Sequence, residues 1–396
     1  MRILFANDGI GDAGGVQSYL AAVMPALAAR GHDVALLHVD ALREGAESPA
    51  PPGAPHFCTA ARGVDGALAE ARRWRPDVVF SHNLRPLQVE RGLLDTGPVV
   101  KLMHGYFGTC IGGQKTHLHP HPEPCSRRFG PACLALYFPR RNGRLSVPYA
   151  AREWRWAREQ NALFARYAAV VTASGHMRDE FVRNGVDPAR THAIPLFSTL
   201  PPADDPGAPA DFHVLFLGRM TRLKGGDLLL RAAARAWGYT GRPVAVTLCG
   251  DGPQRAEWQA LARTLDLPAA FPGWVDADTR LRLLRSASVL AVPSVWPEPF
   301  GLVGLEAASQ GVPSIAFDVG GIGEWLKDGE NGRLVPGPPS VEALTDELSW
   351  ALMHPAELAA MRPRALEAAR RMSLAVHVAA LERVLAGASA PSADGG

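Results

Sequence analysis

The sequence predicts an α/β protein made of two doubly wound, parallel-sheet domains that face one another across a cleft. Three observations lead there. Short apolar runs alternate with stretches of helical period, once before residue 200 and again after it. Between the two series lies Pro201-Pro-Ala-Asp-Asp-Pro-Gly-Ala-Pro-Ala-Asp211, which has the composition of a linker. A chain of 396 residues also exceeds what one core supports and divides into two domains of about 200 residues each.

The first series opens with Arg2-Ile-Leu-Phe-Ala6 as a buried strand, after which Gly9 to Gly15 opens a helix to about Arg30. Gly9, Gly11 and Gly14 form G-x-G-x-x-G, and the next strand, Val34 to Asp40, ends in an acid. That pair of features is the dinucleotide fingerprint and supplies a rival reading, an NAD-dependent oxidoreductase, although Asp40 lies beyond the usual interval. A helix over 64–74, a strand over 77–82 and a strand over 98–104 that ends at His104 follow. Residues 105–148, rich in Gly, Pro, His and Arg, read as irregular. Then come a helix over 152–167, a strand over 168–173 and a helix capped by Ser174 that runs to Gly185.

After the linker the alternation restarts: strand 212–218, helix 225–237, strand 244–249, helix 254–265, a short strand near Phe271, helix 278–286. A strand over 287–292, a proline-rich loop, a helix from Gly301 to Gly311, a strand over 313–317 and terminal helices complete it. The expected domains are 1–200 and 212–373 about the linker 201–211, with a helix near 374–386 packing back on the first domain. The tail 387–396 has the composition of a disordered segment.

Hydrophobic content of 47% and charged content of 20% fit a soluble globular protein. The N-terminus turns polar after five residues, so no secretory core opens it, and no apolar run reaches membrane-spanning length. Five cysteines without a dense framework suit a reducing cytoplasm. Net charge is +2, but residues 1–200 carry 23 Lys/Arg against 17 Asp/Glu, and 101–166 carry 11 against 3.

The most informative stretch is Val292 to Gly311. Pro293, Pro297 and Pro299 hold an extended loop between a buried strand and a helix start, the place where open α/β sheets bind ligands. Glu298 stands in the loop, and Glu306 lies in an otherwise apolar helix where a bare carboxylate costs several kcal/mol or more. Vicinal hydroxyls such as those of a ribose would supply donors for Glu306. The N–H groups at Gly301, Leu302 and Val303 suit a phosphate, and Glu298 is placed to accept from hydroxyls of whatever that phosphate carries. Upstream, Gly218-Arg-Met-Thr-Arg-Leu-Lys-Gly225 brings Arg219 and Lys224 to a strand end, a fork and a point charge that suit a diphosphate. Gly250-Asp-Gly252-Pro makes a tight turn on which a flat base can lie.

These residues together resemble glycosyltransferase family 4, a retaining group with the GT-B fold of two Rossmann-like domains. The resemblance spans nearly the whole chain. It rests on Glu298-x7-Glu306, Gly14-Gly15, His104, Gly218-Arg-x4-Lys-Gly225 and Gly250-Asp-Gly-Pro253, in the family's order. It implies that Arg219, Lys224 and the N–H groups of Gly301 to Val303 hold the donor diphosphate, with Gly14, Gly15 and Gly252 lining the donor site. Glu306 would bind the ribose hydroxyls, Glu298 those of the transferred sugar, and His104 would sit near that sugar and the acceptor. It implies neither cofactor nor metal, and same-face attack with the leaving phosphate taking the acceptor's proton. The expected donor is a UDP-sugar, with GDP- or ADP-sugars as alternatives, and the acceptor a saccharide, a lipid-linked glycan or a small molecule. A sugar-nucleotide-binding protein without turnover is the third reading; intact Glu298 and His104 stand against it.

Two features lie outside that scheme. Cys110, Cys125 and Cys133, with His117, His119 and His121 among them, have no C-x2-C pair, and no zinc is expected. Arg152-Glu-Trp-Arg-Trp-Ala-Arg158, with Arg127, Arg128, Arg140, Arg141 and Arg144 upstream, reads either as a peripheral membrane contact through 127–158, at the inner face of the membrane, or as a solvated face with a few stacked aromatics. Nucleic acid is not an expected partner, since the second half is acidic and no such motif occurs.

Overall fold

The computed structural model describes residues 1–10, 14–41, 47–205, 207, 209 and 211–390. Gly11 of the glycine loop lies outside them. The chain forms two compact units, one of residues 1–119, 125–195 and 374–396, the other of residues 120–124 and 196–373.

The first unit contains β1 (Arg2–Asn7), α1 (Gly15–Ala29), β2 (Asp33–His38), β3 (His56–Cys58), α2 (Thr59–Trp74), β4 (Val78–Ser81), α3 (Leu87–Leu94) and β5 (Val99–Met103). Two-residue strands β6 (Thr116–His117) and β7 (Glu123–Pro124) fall in the long loop that follows, before α4 (Ala132–Tyr137), α5 (Val147–Leu163), β8 (Ala169–Thr172), α6 (Gly175–Arg183) and β9 (Thr191–Ala193). Its parallel sheet has the order β3-β2-β1-β4-β5-β8-β9. Ile3 to Ala6 and Val78 to Phe80 are fully buried, as central strands covered on both faces must be. Ser174 caps α6, its Oγ accepting from the Met177 N–H at 3.2 Å.

The second unit contains β10 (His213–Leu217), α7 (Gly226–Thr240), β11 (Ala245–Cys249), α8 (Arg255–Thr264), β12 (Ala269–Gly273), α9 (Ala277–Ser286), β13 (Val289–Val292), α10 (Leu302–Ser309), β14 (Ser314–Phe317), β15 (Gly332–Val335), α11 (Val341–Met353) and α12 (Pro355–Arg371). Its sheet is also parallel, in the order β12-β11-β10-β13-β14-β15. The last helix, α13 (Leu374–Ser389), belongs to the first unit and packs on α1, β4 and β5. There the Tyr19 hydroxyl meets His377 Nε2 at 2.8 Å, and His377 Nδ1 donates to the Pro195 carbonyl at 2.7 Å.

Several expectations are corrected. β3, β9, β15 and α3 were not legible, because three- and four-residue strands and an eight-residue helix carry too little period. α5 begins at Val147 rather than Arg152, since Pro148 sits in its first turn, where a missing N–H costs nothing. α13 runs through Ser389, into the stretch expected to be disordered; residues 391–396 lie outside the described chain. The helical run Pro355–Ser389 is long and apolar enough to cross a membrane, where the sequence reading saw no such run. It is two helices, divided at Met372–Ser373, with α12 packed on α10 and α13 on α1.

Candidate functional site

In the second unit the loop after β13 is tied to the loop after β10. The Val295 N–H donates to the Leu223 carbonyl at 2.9 Å. Gly225 follows in the left-handed region, with φ at 65°, and a Cβ there would fall 1.9 Å from the Pro293 carbonyl oxygen. Only glycine lets the two loops come so close. The approach brings Lys224 onto Glu298.

Glu298 is 4% exposed. Its Oε1 accepts from Lys224 Nζ at 2.6 Å and from Ser294 Oγ at 2.5 Å. Its carbonyl accepts from the Gly321 N–H at 2.7 Å. The neighbouring Gly320, with φ at 64°, leaves no room for a Cβ, which would lie 2.2 Å from that carbonyl oxygen. The backbone of Glu298 is therefore fixed from two sides, and its carboxylate from two more. Lys224 also lies 5.5 Å from the centre of the Trp296 ring.

Three residues on, Gly301 starts α10 with φ at 79° and no side-chain cap. Leu302 and Val303 form the first turn, so the leading N–H groups of this helix point out of its end. Glu306, one turn further, is buried, and both its oxygens lie 3.4 Å from Arg280 Nη1 on α9. Burial pushes its carboxyl upward, and the Arg280 charge only partly offsets that. Arg280 Nε is itself buried without a hydrogen-bond partner among the described residues. Arg219, just past β10, is exposed and makes no ion pair among the described residues. Gly252 follows β11, its N–H donating to Asp251 Oδ1 at 2.7 Å.

In the first unit, Gly14 and Gly15 are exposed at the start of α1, which no side chain caps. His104 follows β5, and its Nε2 is 3.0 Å from His82 Nδ1, at the end of β4. The edge of Tyr19 packs on His104 at 5.9 Å between ring centres. Desolvation, with the charge of Lys101 behind it, pushes His104 down to about 3 and His82 well below its ordinary value. Both rings are neutral at neutral pH. Lys101 is itself buried, bonded to Glu90 Oε2 at 2.9 Å, Ser81 Oγ at 3.0 Å and the His82 carbonyl at 2.5 Å. Beside them Asp8 accepts the Arg85 N–H on Oδ2 at 2.9 Å, while its Oδ1 is buried without a partner among the described residues. Burial first, and the nearby charge of Asp40 after it, raise Asp8 to about 6.

The structure thus gathers Glu298, Gly301, Leu302, Val303 and Glu306 along one loop and helix start, brings Lys224 onto it from the loop after β10, and places Arg219 and Gly252 past the ends of β10 and β11. Ser294, Arg280, His82 and Asp8 were missed. His82 had a signal, since it ends its strand as His104 ends the next. Ser294 and Arg280 become visible only through loop and helix packing. Cys110, Cys125 and Cys133 line one small cavity with His117 and Asn142, and His117 Nδ1 donates to Asn142 Oδ1 at 2.9 Å. All three thiols are free, and no group of three or more His, Cys, Asp or Glu is arranged to hold a metal ion among the described residues.

Two family models match, glycosyltransferase family 4 over residues 13–197 and glycosyl transferases group 1 over residues 206–371. A D-inositol 3-phosphate glycosyltransferase of Rhodococcus erythropolis is 38% identical over 170 residues, covering 40% of this chain and 38% of the relative. A glycogen synthase of Mycobacterium tuberculosis is 28% identical over 322 residues, 77% of this chain and 66% of the relative. The chain therefore spans about one third to two thirds of the length of the curated relatives it matches. Among solved structures, Alr3699/HepE of Anabaena in complex with UDP superposes with a TM-score of 0.69 at 19% identity, covering 98% of this chain and 100% of that one. The likeness establishes the GT-B fold.

Proposed function

Because the chain belongs to glycosyltransferase family 4, we propose that it moves a sugar from a nucleotide-sugar donor to an acceptor with retention of anomeric configuration. The observation that carries this reading is the immobilised Glu298 carboxylate, fixed by Lys224 and Ser294 directly ahead of the uncapped start of α10. A carboxylate there accepts hydroxyls of a sugar whose phosphate sits on the helix start. Lys224 and Arg219 neutralise the diphosphate, so a divalent cation is not needed for the negative charge that grows as the glycosidic bond breaks. Glu306 receives the ribose hydroxyls, which replace the long contacts to Arg280.

UDP is the preferred nucleotide, in keeping with the UDP bound to the Anabaena protein; GDP and ADP are the alternatives. Neutral His104, hydrogen-bonded to His82, offers a hydrogen bond near the transferred sugar but no acid. The leaving phosphate, not a side chain, then takes the acceptor's proton as attack occurs on the same face. The acceptor is a saccharide, a lipid-linked glycan or a small molecule. Five free thiols suit a reducing compartment, so the reaction is read as cytoplasmic.

Family membership displaces the NAD-dependent reading, which has no use for Lys224, Glu298 or Glu306. Thermal shift against UDP, GDP, ADP and NADH, with EDTA present, tests the reading. A nucleoside diphosphate should stabilise the protein and NADH should not; the opposite result would sink the proposal. Proton NMR of the product made with the stabilising donor then reads the anomeric configuration.

A further inference from the structure

The segment between Cys125 and Arg152 presents a surface that sugar transfer does not use. Among the described residues eight large apolar side chains are exposed, and four of them, Leu134, Phe138, Leu145 and Val147, fall in this segment. Leu145 is 59% and Val147 69% exposed. Leu134 in α4 and Phe138 just past its end, which keeps helical dihedrals, are four residues apart and so lie on one face. Behind them Tyr137 is fully buried against Ile111 and Ala150. Its hydroxyl donates to the Arg144 carbonyl at 3.1 Å, which holds Leu145 and the start of α5 alongside α4. The four side chains thus stand on two stretches, α4 with its C-terminal end and the turn into α5, which this bond ties together, and Pro131, Ala132, Ala135, Pro139 and Pro148 of the same stretches are exposed as well.

Within this segment the charge has one sign. Between Glu123 and Glu153 the chain has six arginines, no lysine and no acid. Arg127, Arg128, Arg141, Arg144 and Arg152 are exposed. The tryptophans that looked like surface anchors in the sequence are engaged inside the unit. Trp154 packs on Phe129 at 4.7 Å between ring centres. Trp156 lies 4.0 Å beneath the Arg85 guanidinium and donates to the Arg85 carbonyl at 2.8 Å. The apolar contact of the segment is therefore made by α4 and the turn into α5, not by residues 152–158.

We propose that residues 127–148 are a docking surface for an anionic lipid bilayer. Leu134, Phe138, Leu145 and Val147 would enter the boundary between headgroups and acyl chains, and the arginines would pair with lipid phosphates. Exposed apolar side chains in such number call for an occupant, and the exposed arginines around them, of which only Arg152 is ion-paired among the described residues, to Glu153 at 3.1 Å, complement a phosphate surface. The proposal is independent of the sugar, the nucleotide and the acceptor.

The test is co-sedimentation of the full chain with vesicles of phosphatidylcholine alone and of phosphatidylcholine with phosphatidylglycerol. Two double variants accompany it, L145E/V147E and R141N/R144Q, whose altered side chains are exposed. The wild-type chain should bind the anionic vesicles, release them as salt rises and ignore the neutral ones. Each variant should lose at least tenfold in partitioning while keeping its Tm and its nucleoside diphosphate binding. Equal binding to both vesicles, binding to neither, or variants that bind like the wild type would overturn the proposal. So would L145E/V147E converting a dimer to a monomer with vesicle binding unchanged, which would make the segment a contact between copies. Should the glutamate variant fail to fold, the arginine pair decides alone.

Discussion

Lys224 Nζ donates to Glu298 Oε1 at 2.6 Å, and Ser294 Oγ shares the same oxygen. Oε2 of Glu298 has no hydrogen bond among the described residues, so one carboxylate oxygen is anchored and the other is not. Lys224, 28% exposed at its side chain, is bound on one side only. On the proposed reading an incoming diphosphate would find a cation already oriented, which would lower the ordering cost of binding.

Replacing Lys224 with Met keeps the stem and removes the charge. Nucleoside diphosphate affinity should fall about 10- to 100-fold, the loss of one or two hydrogen bonds to a charged group. Calorimetry with EDTA present measures it. An unchanged Kd would mean that the phosphate sits elsewhere.

The support of the Glu298 loop is open to a second test. Gly304, on the first turns of α10, faces Trp325, and a Cβ there would lie 1.9 Å from the ring. Trp325 Nε1 in turn donates to the Phe300 carbonyl at 2.7 Å, next to the helix start. Gly304→Ala should cost about 1–3 kcal/mol through overpacking and lower Tm. Turnover should drop beyond what the loss of folded protein explains, because the Phe300 carbonyl loses its donor. A variant with wild-type Tm would show that Trp325 yields freely.

These contacts mark where sequence reasoning stops. Two parallel sheets, the strand-loop-helix around Glu298 and a buried helix holding Glu306 were legible, because long apolar runs, prolines and a stranded carboxylate each carry a local signal. Lys224 was legible as a cation beside a strand end, but its pairing with Glu298 across 74 residues was not. That depends on how closely two loops pass, which Gly225 permits and no period encodes. Arg280 was invisible for a related reason, since it reaches Glu306 only through the packing of α9 beside α10. The short strands β3, β9 and β15 went unseen because they are specified by pairing with a neighbour, not by their own pattern.

Asp8 gives a pH dependence with a definite sign. Its carboxyl, raised to about 6, holds a proton more tightly in the folded chain than in the unfolded one. The stability this contributes is complete below the ordinary aspartate value and is lost as pH rises through about 6. Asp8→Asn keeps an oxygen for the Arg85 N–H and removes the charge. At pH near 8 its Tm should exceed that of the wild type by about 2–4 °C, and the gap should close by about pH 4. A gap that widened in acid would show that Asp8 is ionised and favourably paired.

His104, pushed down to about 3, is neutral throughout the physiological range. The profile of kcat against pH should therefore carry no step from this residue between about pH 5 and 8, and a step that vanished in His104→Asn would contradict its neutrality. His104→Asn, which still hydrogen-bonds, should retain more turnover than His104→Phe. Equal losses in the two variants would leave only ring packing against Tyr19 and His82 as its role.

The two glutamates should separate into different losses. Glu306, with both oxygens at 3.4 Å from Arg280 and its carboxyl raised by burial, is poorly satisfied by the protein alone. Ribose hydroxyls would complete its hydrogen bonding in ground and transition states alike. Glu306→Ala should therefore weaken nucleoside diphosphate binding by about 1.5–3 kcal/mol. On the proposed reading Glu298 would meet the sugar, where positive charge grows as the bond to phosphate breaks, so Glu298→Gln would remove an interaction that strengthens in the transition state. Its kcat should fall far more than its affinity for free nucleoside diphosphate, which has no sugar to touch. Gln also keeps an oxygen for Lys224 and Ser294, so the loop stays in place and the effect reports charge. Calorimetry with the nucleoside diphosphate and turnover with the matching donor, measured on both variants, decide the matter. Near-normal turnover of Glu298→Gln, or a loss of nucleoside diphosphate binding as large as that of Glu306→Ala, would show these roles to be wrong.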